Sequence, residues 1–262
     1  MRKYLSLFWL TIIVLLTAAT ANAAPQVLTA TLTGAQENPA TGSAGTGSAL
    51  VTLDTVANTI TISVSFSGLT GTTTASHIHC CAPVGVNAGV ATTTPFFPGF
   101  PIGVNSGTYL QTFNLNLAST YNPAFVTANG GTVAGARAVL VAGLLGGQTY
   151  LNIHTNVNPG GEIRGQLVAD TTAPSITCPG SLTKFTDSGQ STATVNPGTP
   201  VATDNVAVQS VTGVRSDGKP LNAPYPIGVT TINWTATDTS GNTASCGQSI
   251  GVMAPSGQRR RP

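Results

Sequence analysis

Between Ile60 and Phe66 the residues alternate without a break. Ile60, Ile62, Val64 and Phe66 fall on one face of an extended chain, and Thr61, Ser63 and Ser65 fall on the other. A period of two marks a strand with one buried face and excludes an amphipathic helix, whose faces repeat every 3.6 residues. Phe113, Leu115 and Leu117 alternate in the same way, and Val27–Leu32, Thr149–Ile153 and Ile163–Val168 read as further strands. Only 7% of residues are charged, whereas surface helices draw heavily on Glu and Lys. Thr and Val favour strands, and Gly, Pro and Asn favour turns. The expectation is an all-β chain of sandwiches or barrels. Ala134–Leu145 is the one stretch that suits a helix, and its Gly143 weighs against it.

The chain divides into four segments. Residues 1–23 read as a secretory signal peptide: Arg2 and Lys3, an apolar run Leu5–Leu16, then Ala21-Asn22-Ala23. The apolar run is too short to cross a bilayer, and no later segment is long and apolar enough to do so. Residues 26–169 form a first domain containing a long Pro/Gly/Phe-rich loop, Ala82–Gly107, of the kind that carries function. Asp170-Thr-Thr-Ala-Pro174 reads as an extended linker. Residues 170–252 contain short strands at about ten-residue spacing, the pattern of an Ig-like β-sandwich. Residues 253–262, with Arg259, Arg260 and Arg261, read as a disordered tail. The expected location is outside the cell or on its surface, or the periplasm of a Gram-negative cell.

Charge narrows the function. Setting aside Arg2, Lys3 and the three tail arginines leaves five basic residues against eight acidic ones, a net charge near −3. A nucleic-acid site needs a basic face, and none is present. Of the four cysteines, Cys80 and Cys81 are adjacent, and Cys178 and Cys246 stand near the two ends of the second domain. Export permits disulfides. For Cys80 and Cys81 a vicinal disulfide, a redox or metal contact, and a buried thiol all remain open.

The three histidines carry the chemistry. His77 and His79 lie two apart, so on a strand both imidazoles project from one face. His154 ends a second strand-like stretch, Tyr150–His154. If those strands are neighbours, three ring nitrogens converge. Imidazole suits copper and zinc, with copper(II) favoured on affinity. The expected ligand set is His77, His79 and His154, with copper as the ion and zinc as the alternative.

Three motifs in order, Leu32-Thr-Gly-Ala-Gln-Glu37-Asn-Pro39, Ala75-Ser-His-Ile-His79 and Tyr150-Leu-Asn-Ile-His154 running on to Glu162-Ile-Arg164-Gly165, closely resemble the CHRD domain, first described in chordin. The resemblance implies a secreted protein and, by analogy with chordin, a binder of signalling proteins. His77, His79 and His154 also resemble the copper ligands of Cu/Zn superoxide dismutase. That implies a Greek-key β-sandwich or barrel, and redox turnover of the superoxide type were the chain an enzyme. No histidine remains for a bridging position or a zinc subsite. In this reading Arg164 draws in an anion or, preferably, pairs with Glu162. Glu37 and Glu162 are candidates to hold imidazole N–H groups or, equally, to tie down the Asn-Pro and Gly-Gly turns.

The second domain resembles the hyalin repeat, HYR, through Asp170–Pro179, Pro200–Asn205 and Tyr225–Cys246. Such repeats are Ig-like and occur in adhesive extracellular proteins, and the resemblance implies a Cys178–Cys246 disulfide. Asp204, Asp238 and Asn242 offer oxygen ligands. Asp238–Asn242 reads more simply as a tight turn capped by its Asp, so calcium is not expected. The second domain lacks histidine and paired carboxylates, which argues against a catalytic centre. The combined expectation is a secreted or surface protein with a three-histidine metal site and an adhesive spacer. Its partner would be an extracellular protein or surface ligand. The alternatives are a purely structural protein and a copper oxidoreductase, with a non-enzyme preferred.

Overall fold

The computed structural model describes residues 25–255. The expected signal peptide and the end of the expected tail, residues 256–262, lie outside the described residues. The chain folds as two all-β domains.

In the first domain seven strands form one curled antiparallel sheet. They are β1 (Gln26–Thr33), β2 (Thr46–Asp54), β3 (Thr59–Ser67), β4 (Thr73–Cys80), β5 (Gly107–Asn114), β6 (Thr149–Thr155) and β7 (Ile163–Ala169). The spatial order is β4-β6-β7-β1-β2-β3-β5. The alternation read in β3 decides its placement, because Ile60, Ile62, Val64 and Phe66 all point into the core. Leu28 and Leu32, Val51 and Leu53, Ile78, Leu151 and Ile153, and Ile163 and Leu167 join them from the other strands.

The alternation expected through Leu117 stops earlier. β5 ends at Asn114, whose side chain accepts from the Asn116 amide and turns the chain. Leu115 then enters the core while Leu117 is exposed.

Two helices close the core. Helix α1 (Pro123–Ala128) is an addition to the expected elements, and Asn122 followed by Pro123 is its start signal. The Asn122 side chain accepts from the Ala124 amide. Helix α2 (Val133–Leu145) is capped by Thr132, which accepts from the Gly135 amide. Gly143 has a packing reason to stand inside it. A Cβ there would lie 2.6 Å from the sulfurs of both Cys80 and Cys81, so only glycine lets the helix pass so close.

The second domain contains β8 (Ser175–Thr177), β9 (Leu182–Phe185), β10 (Thr192–Ala193), β11 (Val201–Thr203), β12 (Val208–Arg215), β13 (Tyr225–Pro226), β14 (Gly228–Asp238) and β15 (Thr243–Met253). Its main sheet runs β12-β14-β15-β9, with β9 parallel to β15. Met253, assigned to the tail in the sequence reading, ends β15. The core is small: Ala193, Tyr225, Ile232, Trp234, Ile250 and Val252. Its one buried amide is fully used. Gln248 accepts from the Trp234 indole N–H at 3.0 Å and donates to the carbonyls of Gly180 and Pro197.

Cys178 and Cys246 form a disulfide across 68 positions. A core this small gains most from a covalent staple. Replacing both cysteines by serine is expected to lower the stability of the second domain by roughly 4 kcal/mol in the loop-closure picture. The check is two-transition calorimetry under non-reducing conditions, in which the first domain's transition stays in place.

Candidate metal centre

The sheet of the first domain has a second buried face. On β4 and β6 nearly every residue is buried, so both sides of these strands are covered. One side meets the core. The other carries polar side chains in cross-strand rows. His77 pairs with Asn152, which pairs with Arg164 on β7, and His79 pairs with Tyr150. His154 pairs with Ala75, two positions from His77. The long segment between β4 and β5 and the turn after β6 supply the cover.

One ring nitrogen from each of His77, His79 and His154 lies within 4.8 Å of the others. His77 Nε2 sits 2.6 Å from the Pro95 carbonyl, His79 Nδ1 2.9 Å from that of Ala88, and His154 Nδ1 3.0 Å from that of Pro159. A carbonyl oxygen only accepts, so each of these nitrogens carries the proton. The remaining nitrogens, His77 Nδ1, His79 Nε2 and His154 Nε2, then bear lone pairs. All three are buried and have no hydrogen-bond partner. Burial holds the His77 and His79 rings down to a pKa of about 4, with the neighbouring His154 adding to the effect, and lowers that of His154. The rings are therefore neutral and their lone pairs face one another.

Around this triad the rows continue. His79 stacks on Tyr150 at 4.7 Å, and the Arg164 guanidinium lies 4.6 Å above the Tyr150 ring. Arg164 donates to the Gln36 carbonyl and to Asn87 Oδ1, while its Nη2 has no partner. It makes no ion pair with Glu162, contrary to the preferred expectation. Glu162 is fully occupied elsewhere, accepting from Ser43, Thr155 and the amides of Thr70 and Gly71. Burial alone would raise the Glu162 pKa, but these donors outweigh it and hold the carboxyl at about 2. Neither Glu162 nor Glu37 bonds an imidazole; backbone carbonyls take that place. Glu37 lies beside Arg164 and Asn152, with its Oε1 buried and unpartnered. Burial pushes its carboxyl up to about 7 against the pull of both neighbours.

Cys80 and Cys81 are joined to each other by a disulfide. The Cys80 side chain points to the core face, opposite His77 and His79, and both sulfurs face the Val139 carbonyl of α2. A metal contact from either is thereby removed, because a disulfide sulfur is not a thiolate. Tyr150 and Asn152 are further residues of this face, beyond those expected from the sequence. They lie four and two positions before His154, so the same period-two rule places them on its face.

The sequence pattern of the CHRD domain matches residues 28–167, just over half of the chain. This chain belongs to the CHRD family. The HYR domain follows at residues 169–252. All three histidines fall inside the CHRD domain. The rat protein "Sushi, von Willebrand factor type A, EGF and pentraxin domain-containing protein 1" is 37% identical over 86 residues, covering 32% of this chain. Its mouse counterpart is 33% identical over 105 residues, covering 39%. The chain spans only 2–3% of the length of these relatives. No solved structure matches. No helix among the described residues is long and apolar enough to cross a membrane. The domain types and relatives fit a secreted or surface protein.

Buried neutral imidazoles make stability depend on pH. The unfolded chain takes up protons on its histidines below about pH 6.5, while the folded rings resist until about 4. Stability therefore falls as pH drops through that window, by on the order of 2–3 kcal/mol for each of His77 and His79. Glu37 acts in the opposite sense. Its contribution is complete below about 4.5 and is lost as pH rises to about 7. Three histidines outweigh one carboxyl, so the metal-free protein is expected to lose stability on acidification from pH 6.5 to 4. Glu37→Gln steepens that loss. Chemical denaturation across this range checks both statements.

Proposed function

We propose that the CHRD domain is an extracellular copper-holding module, carried on an HYR domain that serves as an adhesive spacer. The observation that supports this reading most is the set of three buried, unpartnered imidazole lone pairs. The opposite ring N–H of each imidazole is fixed to a backbone carbonyl. Metal-bound histidines show this pattern, because a carbonyl on the far nitrogen sets the tautomer and the ring orientation. An uncompensated buried acceptor otherwise costs free energy, and three in one place have a common partner in a cation. Neutral nitrogen donors suit copper and zinc, with copper(II) bound more tightly. Three donors leave a coordination position open, which is compatible with a small ligand and does not require turnover.

A purely adhesive role is the second reading, favoured by the HYR domain and by the likeness to large multidomain relatives. In that reading the triad is only a polar patch. Titration of the metal-free chain with copper(II), followed by electron paramagnetic resonance, separates the two. The metal reading expects one copper per chain with nitrogen hyperfine structure. In His154→Ala that signal is lost, while the melting temperature changes little because this ring is partly exposed. Weak binding that is identical in the variant would leave the adhesive role standing alone.

A further inference from the structure

A second group of ligand atoms lies at the start of the HYR domain, apart from the histidines. Asp170, Asp204 and Asp238 each place one carboxylate oxygen within 4.8 Å of the other two. The residues come from three separate segments: the junction after β7, the loop after β11, and the end of β14. Asp238 is completely buried and Asp170 is 8% exposed. No lysine, arginine or histidine forms an ion pair with any of them; the ion pairs among the described residues are Lys184–Asp187 and Arg215–Asp217.

Hydrogen bonds account for part of this charge. Asp238 Oδ1 accepts from the amides of Ser240 and Asn242, and Asp238 Oδ2 accepts from the Asn242 side chain. The turn-capping role expected for Asp238 is thus present. Asp170 accepts from the Thr172 amide, Asn205 and Ser240. Asp204 Oδ2 caps the amides of Val206 and Ala207. Its other oxygen, Oδ1, is buried and accepts from nothing. Thr239 Oγ1, beside Asp238, is buried and unpartnered as well. A carboxylate oxygen shut away from water, from donors and from basic side chains is costly, and a cation is the partner that would offset that cost.

We infer that Asp170, Asp204 and Asp238 bind a calcium ion at the junction of the CHRD and HYR domains. Carboxylate oxygens are hard ligands that select calcium or magnesium over copper. Chemistry favours the larger ion. Calcium accepts an irregular shell of carboxylate and carbonyl oxygens supplied by separate segments, whereas magnesium demands near-ideal octahedral geometry and keeps several of its waters. Backbone carbonyls and water would complete the shell. The position gives the ion a structural task. The Asp170 amide donates to the Val27 carbonyl on β1, so this residue is tied to the first domain by its backbone and to the second by its carboxylate. An ion held there fastens the loops of the HYR domain to the chain leaving the CHRD domain.

The test is calorimetric titration of the full chain after chelator treatment and dialysis, with calcium chloride and, separately, magnesium chloride. The expected result is one calcium per chain, with Kd on the order of 0.1–1 mM as in other extracellular modules, and much weaker magnesium binding. Calcium also raises the melting temperature of the second domain. Asp204→Asn keeps an acceptor for the Val206 and Ala207 amides but removes the charge, and it is expected to weaken calcium at least about tenfold. Asp170→Asn serves the same purpose should Asp204→Asn fail to fold. His154→Ala leaves calcium binding unchanged, which separates this site from the copper reading. The absence of saturable calcium binding up to about 10 mM in the unmodified chain overturns the inference. So does calcium binding that is equal in the unmodified chain and the folded Asp variants.

Discussion

A buried polar sheet face must have its donors met, and the CHRD domain depends on meeting them with loop carbonyls. Pro95 and Ala88 belong to the long segment between β4 and β5, and Pro159 to the turn after β6. Each takes one imidazole N–H. Without these bonds the loops would have little reason to lie on a polar surface, since the apolar core is on the other side of the sheet. With them, the loops exclude water from the triad, and that exclusion lowers the histidine pKa values and keeps the rings neutral. Loop conformation, tautomer and ring protonation are consequences of one set of contacts.

Buried polarity is met in two different ways, and each domain uses both. Glu162 has four donors, and Gln248 has one donor and two acceptors; both are closed networks with nothing left over. The histidines and Asp204 end instead on buried atoms with no partner. Fully satisfied groups hold the fold together, while the leftover groups keep a donor or acceptor unused. Arg164 Nη2, Glu37 Oε1 and Asn152 Oδ1 belong to the second kind and border the triad on one flank.

Much of this was legible in the chain. Alternation in Ile60–Phe66 gave a core-facing strand, and the two-residue spacing of His77 and His79 gave a shared face, because both rest on the pleat. The convergence of His154 depended on β4 and β6 being neighbours, which is a matter of topology that no local pattern records. The Glu162–Arg164 pair looked natural from sequence proximity. It does not form, because Ser43, Thr70 and Gly71 arrive from far along the chain to occupy Glu162. Asp170 was read as linker for the same reason: its partners Asn205 and Ser240 lie 35 and 70 positions away. Local rules found the strands, and long-range pairing assembled the sites.

The Cys178–Cys246 bridge also determines how the second domain responds to pulling. It joins a cysteine just after β8 to one on β15, close to where the chain enters and leaves the domain. Tension between those two ends passes through the sulfur atoms and bypasses the 67 residues between them. Those residues, Trp234 and Gln248's partner strands among them, cannot be drawn out as a thread. Only the short segments outside the bridge can extend, and the last of them, at the end of β15, lies alongside β9 and β14, so its hydrogen bonds resist together in shear. A domain built this way keeps its length under force.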